Sequence, residues 1–147
     1  MGLDMYLTAK RYLPEYNKEV KEMRESITAT IGSPFGTVNE VSVEAGYWRK
    51  ANAIHKWFVT NCQNGIDECQ ETYLTRKNME SLLETVNTVL ADNSTAGELL
   101  PPSEGFFFGS TEIDEYYIQD LEYTKELLEK ILNSDQTDWD FYYRSSW

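Results

Sequence analysis

One acid in the middle of an otherwise apolar helix face constrains this chain more than any other single feature. The segment 111–132, TEIDEYYIQDLEYTKELLEKIL, has the periodicity of an amphipathic helix at about 100° per residue. Ile113, Tyr116, Tyr117, Leu121, Tyr123, Thr124, Leu127, Leu128 and Ile131 fall on one face, and Asp114, Glu115, Glu122, Lys125, Glu126, Glu129 and Lys130 on the other. Asp120 projects into the apolar face, where the pattern asks for Leu. A buried carboxylate without a partner costs several kcal/mol or shifts its pKa until it is neutral. The sequence therefore predicts that Asp120 has a partner.

A second helix, predicted over 47–62, carries polar residues in a similar place. Trp48, Ala51, Asn52, Ile54, His55, Phe58 and Val59 share one side of YWRKANAIHKWFVTNC, so Asn52 and His55, three apart, are polar neighbours on an apolar stripe. The simplest way to satisfy both helices is to let them meet. Asp120 is expected to pair with His55 or with a basic residue of the 47–62 helix, Arg49 or Lys50. The result is either an internal hydrogen-bond network or a pocket lined by Trp48, Arg49, Asn52, His55, Tyr117 and Asp120. Aromatic walls with a few convergent polar groups are the usual make-up of a small-molecule site. If the site is catalytic, His55 and Asp120 are the candidate acid and base. His55 is the only histidine in the chain, and imidazole is the side chain that ordinarily changes charge near neutral pH.

Other chemistries find less support. Cys62 lies about 10 Å along the axis from His55 on the same helix, too far for a Cys–His pair or for one shared zinc ion. No phosphate loop or dinucleotide fingerprint is present, and neither a metal nor a cofactor is expected. The net charge of −12 is opposite in sign to that of a nucleic-acid binder, which must neutralise phosphates. The charge is also segregated. Residues 110–140 hold ten acids and only Lys125 and Lys130, whereas residues 46–66 hold Arg49, Lys50 and Lys56 and no acid. This leaves room for an anion site on the basic helix, or for an acidic surface that imitates nucleic acid.

Periodicity and turn residues predict one α+β domain over 1–147, with about four helices packed on a small, mostly antiparallel sheet of about five short strands. Strands are expected over 3–11, 37–45, 66–74, 106–108 and from Trp139 to Tyr143. Helices are expected over 14–28, 47–62, 76–90 and 111–132, the third capped by Thr75 and the fourth by Ser110 or Thr111. Residues 92–105 form the longest loop. No run of about 18 apolar residues and no secretory leader is visible, and two cysteines fit a reducing compartment, so a cytoplasmic protein that does not engage a membrane is expected.

The opening Met1-Gly-Leu-Asp-Met-Tyr-Leu7, together with Tyr47-Trp48-Arg49-Lys50-Ala51-Asn52, Ile54-His55 and Trp57-Phe58, resembles a group of small uncharacterised proteins encoded by bacteriophages and prophages. That group has no established activity to transfer to any residue here. The resemblance implies an accessory protein that acts on the host, by blocking a host or defence protein or by sequestering a signal. Three functions follow as expectations. The first is capture of an anionic or nucleotide-like ligand or of a host protein. The second is a small enzyme using His55 and Asp120. The third is acidic mimicry of nucleic acid.

Overall fold

Alternating apolar residues near the N-terminus found the sheet. The computed structural model describes residues 2–147. In it Leu3, Met5, Leu7 and Ala9 all point into the core from the edge or body of strand β1 (Asp4–Tyr12), and the residues between them face the other way. Strand β2 (Glu40–Arg49) and strand β4 (Asp140–Ser146) flank β1, and β3 (Thr72–Leu74) completes an antiparallel sheet in the order β2-β1-β4-β3. Helices α2 (Asn52–Cys62), α3 (Arg76–Ala91) and α5 (Glu115–Leu132) carry most of the helical core residues. Helix α1 (Lys18–Ile31) links β1 to β2, and the one-turn α4 (Ala96–Leu99) follows a 3-10 turn at Asn93–Thr95. The fold is α+β, as the periodicity implied, with five α-helices and four strands among the described residues rather than four and five.

The differences have local causes. The second helix does not begin at Tyr47. Tyr47 and Trp48 continue β2 opposite Tyr6 and Met5, where aromatic residues fit a half-buried pleat. The strand ends at Lys50, whose φ of 59° is left-handed, and α2 starts two residues later. The third strand shrinks to Thr72–Leu74 because residues before it form a loop stitched by side chains: Gln63 donates to Gln70 O and Thr72 Oγ1, and Gln70 donates to Ile66 O. Phe106–Phe108 is not a strand. Phe108 N donates to Gly105 O in a tight turn, and Phe106 stands almost wholly in solvent. Helix α1 begins after Asn17, which caps Val20 N, rather than at Pro14. Within it only Val20 is buried, while Met23 and the preceding Tyr16 are exposed.

Helix α3 follows the sequence expectation closely. Thr75 and Asn78 form a reciprocal capping box, and Met79, Leu82, Val86 and Val89 are buried. Helix α5 is capped by Asp114 rather than by Ser110 or Thr111; the Asp114 carboxylate accepts from Tyr117 N at 3.0 Å. Its buried residues are Tyr117, Leu121, Thr124, Leu127 and Leu128. Gly46 of β2 lets this helix approach, because a Cβ there would collide with the Leu127 methyls. No helix among the described residues is long and apolar enough to cross a membrane.

Candidate functional site

The two suspicious polar residues go to different places. His55 is 1% exposed, and both ring nitrogens are engaged. Nδ1 lies 2.6 Å from the Tyr143 hydroxyl and Nε2 2.8 Å from Asp67 Oδ2. A neutral ring with its proton on Nε2 satisfies both, donating to the carboxylate and accepting from the phenol. Burial, with the nearby Asp67 carboxylate adding to it, pushes the Tyr143 phenol well above its usual range, so it keeps its proton and is able to donate. The other Asp67 oxygen accepts from Trp147 Nε1 at 3.0 Å, which folds the C-terminal residue back on the domain. Phe58 stacks on Tyr143 at 4.0 Å between ring centres, and Phe108 meets His55 edge-on. His55 therefore ties α2, β4 and the 63–71 loop together. The expected Asp120–His55 pair does not form, because Tyr143 and Asp67 already fill both histidine nitrogens.

Trp48 is also core. It is 2% exposed, its Nε1 donates to Thr124 Oγ1 at 2.9 Å, and the Thr124 hydroxyl in turn donates a hydrogen bond to the Asp120 carbonyl oxygen. This chain couples β2 to α5 through the backbone of Asp120, not through its carboxylate.

The remaining four of the six expected residues line one cleft. Arg49, Asn52, Tyr117 and Asp120 surround a cavity of about 320 Å³ between the start of α2, the 109–112 segment and the first half of α5. Lys50, Ser110, Glu112, Asp114, Tyr116 and Gln119 complete its polar lining. The volume is at the small end of the range typical of ligand pockets.

Each wall has a structural reason. Asn52 is 5% exposed and acts as a clamp. Its amide nitrogen donates to Phe108 O and Ser110 O at 2.9 and 2.8 Å, and its oxygen accepts from Ser103 N at 2.9 Å. One buried side chain thus fixes both ends of the loop beside the cleft. Tyr117 is anchored by donating to Leu100 O at 2.8 Å, and burial raises its phenol to about 12.

Lys50 is held by its neighbours. A Cβ on Gly109 (φ 81°) would lie 3.2 Å from Lys50 Cδ, and a Cβ on Gly2 would lie 3.1 Å from Lys50 Cε and 3.5 Å from an Arg49 terminal nitrogen. The ends of two cationic side chains therefore converge at Gly2. Arg49 reaches Asp4 at 3.6 Å and remains more than half exposed; Lys50 has no ion pair among the described residues. Helix α2 starts two residues after Lys50 without a side-chain cap. Asn52 N donates to Lys50 O at 2.8 Å; the next two amides have no intrahelical acceptor and carry the positive end of the helix dipole.

Asp120 faces them from α5. Its carboxylate makes no hydrogen bond or ion pair with the described residues, although Arg49 and Lys50 line the same cavity. Burial first, and repulsion from Asp114 second, raise its pKa to about 6. The position that the helix pattern reserves for an apolar side chain opens on a cavity instead of on packed core. Helix periodicity identified the residue; the space in front of it depends on the 101–112 loop, which no periodicity describes. The same loop explains why Ser110, Glu112 and Asp114 were missed. Asp67, the partner of His55, sits in an irregular loop and carries no sequence signal.

Among the described residues no group of three His, Cys, Asp or Glu side chains is placed to hold a metal ion. Both cysteines are free thiols, and burial raises Cys62 to about 11, which makes it a poor nucleophile. Comparisons with protein-family models, with curated proteins and with solved structures returned no match.

Proposed function

We propose that this chain is a noncatalytic binding protein that captures a small anionic, nucleotide-like ligand in the cleft between α2 and α5. The observation that carries the reading is that Arg49 and Lys50, whose ends converge at Gly2, both line a cavity of ligand size beside the uncapped start of α2. Asp4 already meets Arg49, but Lys50 has no ion pair among the described residues, so an anion in the cavity would gain a free cation, and the nearby helix N-terminus adds oriented N–H donors. Tyr116, three-quarters exposed at the rim, offers a face for stacking. Proton transfer between His55 and Asp120 lacks its geometry, since His55 is enclosed by Tyr143 and Asp67. The resemblance to phage-encoded proteins supplies the context: an accessory protein in the host cytoplasm that sequesters a signal or blocks a host protein.

Native mass spectrometry of the protein purified from bacterial cells, set against its denatured mass, tests ligand capture. A retained small molecule that is lost from Arg49→Ala supports it. Thermal-shift assays with nucleotides extend the test: stabilisation by none of them in the wild type, together with a ligand-free native mass, counts against the cleft as a ligand site.

The outer face of α5 favours a second reading. Glu115, Glu122 and Glu126 are exposed, and among the described residues none of these three is in an ion pair. Such a face would occupy a nucleic-acid-binding host protein. Reversing these three charges would then abolish partner binding while Arg49→Ala left it intact.

A further inference from the structure

We infer that the cleft selects a two-ended ligand: an anionic group at the Arg49–Lys50 end, and N–H donors, neutral or cationic, at the Asp120 end. The inference rests on the cleft being a ligand site, and adds what kind of ligand it takes. A simple anion site gains nothing from carboxylates in its wall, because each one repels the ligand. Yet this cavity is lined both by Arg49 and Lys50, just before α2, and by Glu112, Asp114 and Asp120, from the segment leading into α5 and from α5 itself. Asp114 is already committed, with its carboxylate capping α5. Asp120 is not: it is half-buried, faces the cavity and has no donor among the described residues. A carboxylate is acceptor-only when ionised, so what completes it is a donor. Charge-assisted bonds of this kind are the strong ones.

The clamp by Asn52 makes the arrangement rigid. Its three hydrogen bonds hold the Phe108–Ser110 wall at a fixed place opposite α5, so the cleft is formed before a ligand arrives. A preformed site of opposed charge favours molecules that present both ends at once, and penalises those that leave Asp120 unmet.

Two ligand chemistries share this description. One is a nucleotide whose base offers a pair of N–H donors, as guanine does. The other is a small zwitterion with an ammonium group. Three probes separate them from a plain anion: guanosine 5′-monophosphate, phosphoethanolamine and inorganic phosphate. Affinities are measured by NMR titration of the full chain, following the amides of residues 49–54 and 117–121. The expected result is that one or both two-ended probes bind at least about tenfold more tightly than phosphate, and that Asp120→Asn removes that advantage while leaving phosphate affinity unchanged or improved. Preference for the nucleotide identifies a base edge; preference for phosphoethanolamine identifies an ammonium. If phosphate binds as well as the other two and Asp120→Asn tightens all three, the two-ended ligand is wrong and the anion cleft stands. If no probe moves those amides at millimolar concentration, both readings fall. Circular dichroism and the dispersion of the amide spectrum show that the Asp120→Asn chain is folded.

Discussion

His55 and Asp120 carry the same sequence signature, a polar residue in an apolar helix stripe, yet they sit in opposite situations. Every polar atom of the His55 side chain has a partner, and the residue is sealed by aromatic rings. The Asp120 carboxylate has none among the described residues and faces a cavity. Satisfied polar networks in a core specify packing. A half-buried carboxylate that no protein donor meets is a cost to the fold, and proteins sit near their stability threshold, so such costs concentrate where activity needs them. The comparison separates a residue that builds the molecule from one that the molecule presents.

The largest expected effect is on the built side. His55→Ala leaves the Tyr143 hydroxyl and Asp67 without their partner and opens a cavity beside Phe58. We expect a loss of about 3–4 kcal/mol in urea unfolding. A loss below about 1 kcal/mol would erase the distinction drawn here. Asn52→Ala removes three hydrogen bonds and leaves two carbonyls and one amide without their partner. It is expected to cost about 2–3 kcal/mol and to speed hydrogen exchange of the amides in 101–110, since the wall of the cleft loses its clamp.

Asp120→Asn is expected to act in the other direction. The folded state holds this carboxyl at about 6, above its ordinary value of 3.8, so the folded protein binds the proton more tightly than the unfolded chain does. Stability is then full below pH 4 and declines as pH rises through 6. Removing the charge should restore about 1–2 kcal/mol at pH 7, after allowance for water at the exposed oxygen, and nothing at pH 4. Urea unfolding at the two pH values checks both magnitude and sign. The smallest effect concerns Lys50. Its left-handed backbone suits glycine, so Lys50→Gly should leave stability unchanged or raise it by up to about 1 kcal/mol. The same variant should weaken the binding of an anion to the cleft. A clear loss of stability would mean that the lysine stem between Gly2 and Gly109 matters more than its charge.

What the sequence disclosed follows the same division. Regular periodicity located β1, α3 and the buried face of α5, because burial of one face sets those patterns directly. It singled out Asp120 and Asn52 for the same reason. It misplaced the start of α2, since Tyr47 and Trp48 suit a strand and a helix face equally well; the left-handed turn at Lys50 decides between them. It also joined Asp120 to His55, because a helical projection places residues on their own helix and not between helices. Asp67, Ser103, Phe108 and Ser110 act through irregular backbone, and their pairing with His55 and Asn52 is a tertiary fact. One wall of the cleft, at residues 109–112, lies in such irregular backbone, which is where pattern is weakest.

The most direct test of the account is an NMR pH titration of the Asp120 carboxyl carbon in the ligand-free protein. An unpartnered, half-buried carboxylate facing the cleft predicts an apparent pKa near 6. That value should fall when a donor-bearing ligand occupies the site. A value at or below 3.8 in the free protein would mean that Asp120 is already held by a cation or by N–H donors within the fold. It would then be a structural residue like His55, and the cleft would lose the feature that marks it as a binding site.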